Sequence, residues 1–211
     1  MRRIFLIISI ISLLGLASVL SCQFSSWEGI CAPLEGVAVY AGSASIQSAI
    51  FFLALYFLWD KDFKKTLASV GIPMELKASM FYTFMCLGAI FMLLLVLGAA
   101  SLVLGFNDQQ KVSDKITGLP FVILLFAAFG APITEELFFR GLLTKRIGVL
   151  PSSIIFGLSH FTYGSTLEML GAFSIGIVLA MCFRVSKSVM PCIMAHMAYN
   201  AMAIAFMVFF S

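Results

Sequence analysis

Two glutamates, an arginine and two histidines stand in stretches of this sequence that are otherwise nearly free of charge. They are Glu135, Glu136 and Arg140 in TEELFFRG, His160 in FGLSHF, and His196 in HMAYN, where Asn200 follows one helical turn later. His160 and His196 are the only two histidines in the chain. A carboxylate beside a histidine can activate a water as general base. A second histidine with an asparagine can donate to a developing oxyanion. Together these groups suit hydrolysis of an amide by water with no covalent intermediate. No G-x-S-x-G nucleophile motif is present, and H-E-x-x-H is absent too. Two histidines and one or two glutamates could also hold a divalent metal such as zinc, with Glu135, His160 and His196 as the ligands. Residue types alone leave a metal-bound water and a water held by Glu135 and His160 both open.

Helical spacing divides the roles. Glu136 and Arg140 are at i and i+4, share a face and can pair, which makes Glu136 a supporting residue. Glu135 lies about 100° round the helix and faces another partner. His196 and Asn200 repeat the i, i+4 spacing and present two donors on one face. Phe156 and His160 do so as well, with Phe156 read as packing and Ser159 as facing another direction. Depth agrees across three segments. His160 follows Pro151 by nine residues, His196 follows Lys187 by nine, and Glu135 precedes Lys145 by ten. At 1.5 Å per residue each sits about 13–15 Å from the same membrane edge.

The elements that must position these groups follow from composition. Of 211 residues, 62% are hydrophobic and 11% charged. A soluble domain carries about 25% charged residues, so a water-soluble globule is excluded, and so is intrinsic disorder. Helices satisfy their own backbone in lipid, so the expected fold is all-α, a polytopic transmembrane bundle. Charge-poor stretches mark seven spans (six to eight): 4–20, 36–59, 78–106, 119–139, 148–167, 169–183 and 188–211. An eighth arises if 78–106 hides a break. Residues 1–118 then supply N-terminal transmembrane helices and loops, and 119–211 the catalytic core, within one integral membrane domain. Alternate loops place 11 of the 13 Lys and Arg on one side, leaving only Lys111 and Lys115 on the other. The positive-inside rule puts the N-terminus in the cytoplasm and the C-terminus outside, in a multi-pass cell-membrane protein.

Arg2 and Arg3 before an apolar run also allow residues 1–21 to be a cleaved signal peptide, although 4–20 is kept as the first span. Cys86, Cys182 and Cys192 lie in apolar stretches as small core residues, while Cys22 and Cys31 share a loop and could pair. A net charge of +3, spread along the chain, excludes nucleic acid as a partner.

Glu-Glu-x-x-x-Arg (Glu135, Glu136, Arg140), Phe-x-x-x-His (Phe156, His160) and His-x-x-x-Asn (His196, Asn200) resemble, in order, spacing and membrane placement, the three motifs of the CPBP family. These are the CAAX proteases and bacteriocin-processing enzymes, also called Abi. The likeness covers about residues 119–205 and is similar to that of type II CAAX prenyl endopeptidases. It implies an intramembrane endopeptidase acting on a peptide or lipidated-protein substrate in the lipid bilayer. It assigns Glu135 and His160 to water activation and His196 with Asn200 to the oxyanion. The family has been described both as zinc metalloproteases and as metal-free glutamate proteases, and the reading favoured here has no metal. Two other functions use the same buried charges: a proton-coupled transporter and a non-catalytic membrane scaffold or immunity protein.

Overall fold

A computed structural model describes residues 1–24 and 35–210, with side chains described for 1–15 and 44–210. The pairing considered for Cys22 and Cys31 lies outside the described residues. The described chain is helical, with no strand. It divides into two compact units, Met1–Thr66 and Leu67–Ser211.

The first unit is built on α1 (Arg2–Phe24) and α2 (Glu35–Leu58). Small hydroxyls join them. The Ser9 hydroxyl donates to Ala49 O at 3.0 Å, and Ser12 Oγ donates to Ser48 Oγ at 3.0 Å. Such bonds let two apolar helices approach closely where lipid offers no hydrophobic drive. Phe5 packs edge-on against Trp59, and Arg2 Nε donates to Trp59 O at 3.0 Å. The chain passes to the second unit within α3 (Phe63–Ser69).

The second unit holds α4 (Leu76–Val103), α5 (Gln110–Thr117), α6 (Phe121–Ile147), α7 (Val149–Leu158), α8 (Thr166–Ser186) and α9 (Met190–Phe210). Among the described residues α4, α6, α8 and α9 are long and apolar enough to cross a membrane, while Ala44–Leu58 of α2 is apolar but shorter. The protein is therefore a multi-pass membrane protein of the all-α class. Side chains such as Phe84, Leu95, Leu102 and Phe209 are more than 60% exposed, as a lipid-facing surface requires. The stretch 78–106 hides no break, because α4 runs unbroken for 28 residues. The expected catalytic core from 119 packs in one unit with residues 67–118.

The expected span over 148–167 is not one helix. The α7 helix has ten residues, about 15 Å, and ends at Leu158. Ser159 Oγ donates to Phe156 O at 2.7 Å, the His160 amide turns back to Gly157 O, and a 3₁₀ turn follows over Phe161–Tyr163. Hydroxyl competition for backbone carbonyls ends the helix, although the residues stay apolar. Against α8, the helix packs through glycines. A Cβ at Gly157 would come within 2.7 Å of Phe173 Cβ, and one at Gly176 within 3.2 Å of Phe156 and Ser153.

The loops of this unit sort to two ends. At one, Lys145 reaches Ser69 O, Ser188 Oγ donates to Gly71 O at 2.6 Å, and the Val189 amide bonds Val70 O. At the other, Lys111 and Lys115 reach the carbonyls of Gly164 and Thr162. Asp108 caps α8 from this second end. Its Oδ2 accepts from the Thr166 amide at 2.6 Å, and its Oδ1 accepts from Ser165 Oγ at 2.6 Å and the Leu167 amide at 3.3 Å. Burial acts to raise the Asp108 carboxyl. The bonds from Ser165, Thr166 and Leu167, with the Lys111 charge, outweigh it and hold the group below the usual carboxylate range. Its folded value is depressed, so its stabilisation is complete above the ordinary carboxylate value of about 4 and is lost as pH falls through the folded value. We expect Asp108→Asn to melt below wild type at pH 7 in detergent, and the gap to close towards pH 3. A gap that stays constant with pH would show that the charge contributes nothing.

Candidate active site

The α6 helix owes its shape to Pro132, which is buried and has no N–H. Before it, Phe126–Gly130 is wound as π-helix, and the Ala131 amide bonds Phe126 O, five residues back. In that register Ala127 O would need the amide of residue 132, which proline lacks. Asn200 supplies the donor instead: its Nδ2 lies 3.0 Å from Ala127 O. A second π segment, Leu137–Thr144, follows the glutamates. Such π-bulges inside α-helices recur at functional sites.

Between the two π segments stand Glu135 and Glu136. Glu136 is 0% exposed and Arg140 1%. Arg140 Nη1 donates to Glu136 Oε1 at 2.7 Å, as the i, i+4 spacing required, and Nη2 reaches Gly176 O of α8 at 3.4 Å. The same Glu136 Oε1 accepts from His196 Nδ1 at 2.8 Å. The sequence reading placed Glu136 with Arg140 only; in the structure it also orients His196. An ionised carboxylate only accepts, so His196 carries a proton on Nδ1. The other ring nitrogen, Nε2, lies 3.9 Å from Glu135 Oε2. His196 thus stands between the two carboxylates.

Phe156 is the hub of this arrangement. The Arg140 guanidinium lies 4.4 Å from its ring centroid, a cation–π distance. Phe139, His160 and His196 pack edge-on against it with centroids 4.9, 4.9 and 5.8 Å away. His160 Nδ1 donates to Phe156 O at 2.9 Å, the carbonyl released where α7 ends. That bond fixes the tautomer, leaving the lone pair on Nε2. Ser159, expected to face elsewhere, has its hydroxyl 3.3 Å from His160 Nδ1.

The structure therefore brings Glu135, Glu136, Arg140, His196, Phe156 and His160 into one cluster, with Asn200 anchored one turn beyond His196. Sequence reasoning missed three contributors. Gly176 offers only a carbonyl, and Tyr163 stacks its ring near His160, with centroids 6.0 Å apart. Pro132 was visible three residues before Glu135, but its effect needs the π register. Among the described residues, no three His, Cys, Asp or Glu side chains stand close enough together to form a metal-ligand group.

Residues 117–202 match the family model described as type II CAAX prenyl endopeptidase Rce1-like. No curated protein and no solved structure matches the chain. The matched segment runs from the start of α6 into α9 and includes every residue of the cluster. The likeness of residues 117–202 to type II CAAX prenyl endopeptidases therefore supports assigning this segment to the CAAX protease (CPBP) family.

Proposed function

We propose that the protein hydrolyses a peptide bond of a peptide or lipidated-protein substrate within the membrane, with a water activated by Glu135 and His160. His196 with Asn200 stabilises the oxyanion. The observation that carries this reading is His196 held between two carboxylates at 2.8 and 3.9 Å. With Nδ1 bonded to Glu136, the role proposed for His196 requires a proton on Nε2 as well. In that form Nε2–H is a donor, which an oxyanion needs. His160, with Nδ1 bonded to a carbonyl, presents an Nε2 lone pair to accept a proton from water. One Asn200 N–H holds Ala127 O, and the other serves the substrate. No step uses a metal.

The test is cleavage of a CAAX-type lipidated peptide by purified protein, before and after prolonged chelation, with Glu135→Ala as control. Activity should survive chelation and vanish in Glu135→Ala. Activity that disappears with the chelator and returns with zinc would overturn the metal-free reading, and no cleavage by well-folded wild type would overturn the peptidase.

The basic end of the second unit, with Lys145, Arg146, Arg184 and Lys187, is assigned to the cytoplasm. A reporter fused after Arg146 should read as cytoplasmic and one after Asp114 as external. The opposite pattern would invert the assignment.

A further inference from the structure

Outside this site, α4, α8 and α9 bring three thiols together. Cys182 Sγ of α8 lies 3.9 Å from Tyr82 O of α4. Tyr82 is one helical turn before Cys86, so that carbonyl receives the Cys86 amide in the helix ladder and the Cys182 sulfur sits beside the Cys86 side chain. Cys192 Sγ of α9 donates to Leu179 O of α8 at 3.3 Å, three residues before Cys182. Cys182 accordingly has both other thiols as direct side-chain partners. Cys86 and Cys192 are buried, whereas Cys182 is partly exposed. Cys182 lies four residues from the end of α8, about 6 Å along the axis, beside Arg184 and Lys187 at the basic end. The most accessible thiol is therefore also close to water.

We propose that Cys86 and Cys182 form a dithiol modification site for small disulfides and related oxidants, closing to a disulfide that ties α4 to α8. Cys192, fully buried with its sulfur 3.3 Å from Leu179 O, is the spectator. The Cys182 thiolate attacks one sulfur of the small disulfide, forming a mixed disulfide and releasing one thiol. The Cys86 thiolate then attacks the Cys182 sulfur of that mixed disulfide and expels the second thiol. The protein loses two hydrogens, and the oxidant gains them.

The probe is 4,4′-dithiodipyridine, a membrane-permeant aromatic disulfide, applied to the folded full chain carrying Cys22→Ala and Cys31→Ala. Expected results are two pyridinethiones released per protein, no retained adduct, and a dithiothreitol-sensitive cross-link between the Cys86 and Cys182 peptides. Cys192→Ala should keep the cross-link. Cys86→Ala should instead retain one thiopyridyl adduct on Cys182. Thiols that react only after unfolding would overturn the proposal. So would a wild-type protein that keeps a stable adduct on Cys182, or a cross-link that joins Cys182 to Cys192.

Discussion

Glu135→Gln should give a protein that melts like wild type in detergent and cleaves its peptide about 10²–10⁴-fold more slowly, the usual worth of a general base. The reason lies in how differently the two adjacent glutamates are held. The Glu135 side chain is 16% exposed, and its carboxylate stands 3.9 Å from His196 Nε2, beyond hydrogen-bond distance. Gln keeps the size of Glu135 and removes the basicity of its carboxylate. Glu136 Oε1 accepts from both Arg140 and His196 at the fully buried centre of the cluster. Glu136→Gln should therefore lower folded yield as well as activity. Melting temperature and cleavage should be measured on the same preparations. A Glu135→Gln protein that fails to fold, beside a folded but inactive Glu136→Gln, would reverse the two roles.

Arg140→Ala should destabilise the protein by about 3–5 kcal/mol, the cost of breaking a buried ion pair from one side. Arg140 is among the largest fully buried side chains and meets four groups: Glu136, Gly176 O, Phe139 and Phe156. Its removal strands Glu136, whose Oε2 is already buried with no hydrogen-bond partner among the described residues. The charge would be left against His196 alone. It also empties the space beneath the Phe156 ring, against which both histidines pack. Activity should fall with stability. The double variant Glu136→Gln/Arg140→Met removes both charges and fills the space, so it should recover most of the melting temperature. It should not recover cleavage, because His196 loses the carboxylate that fixes its ring. Restored activity in the double variant would mean that Glu136 serves only to hold Arg140. Wild-type melting of Arg140→Ala would mean that the pair contributes no stability.

The sequence by itself determined what depends on composition and on near neighbours along one helix. A charge fraction of 11% sufficed to place the chain in the membrane. Glu136 and Arg140 pair because four residues along a helix bring side chains to one face whatever surrounds them. The two histidines stood out because a bilayer interior penalises ionisable groups, so their presence there demanded a reason. Tertiary structure decided the rest. The Glu136–His196 bond joins residues 60 apart, and it made a supporting glutamate into one that orients a histidine. Asn200 found Ala127 O only because Pro132 lacks an amide and the preceding turn is π-wound, a register that residue types do not announce. The span over 148–167 broke at Ser159 within an apolar run, since hydropathy records the cost of transfer to lipid and not the competition of a hydroxyl for a carbonyl. Three cysteines scattered through apolar stretches met because three helices cross there. Local spacing is fixed by the covalent chain, but contacts between helices depend on crossing angle and register, and those are set only when the whole bundle packs.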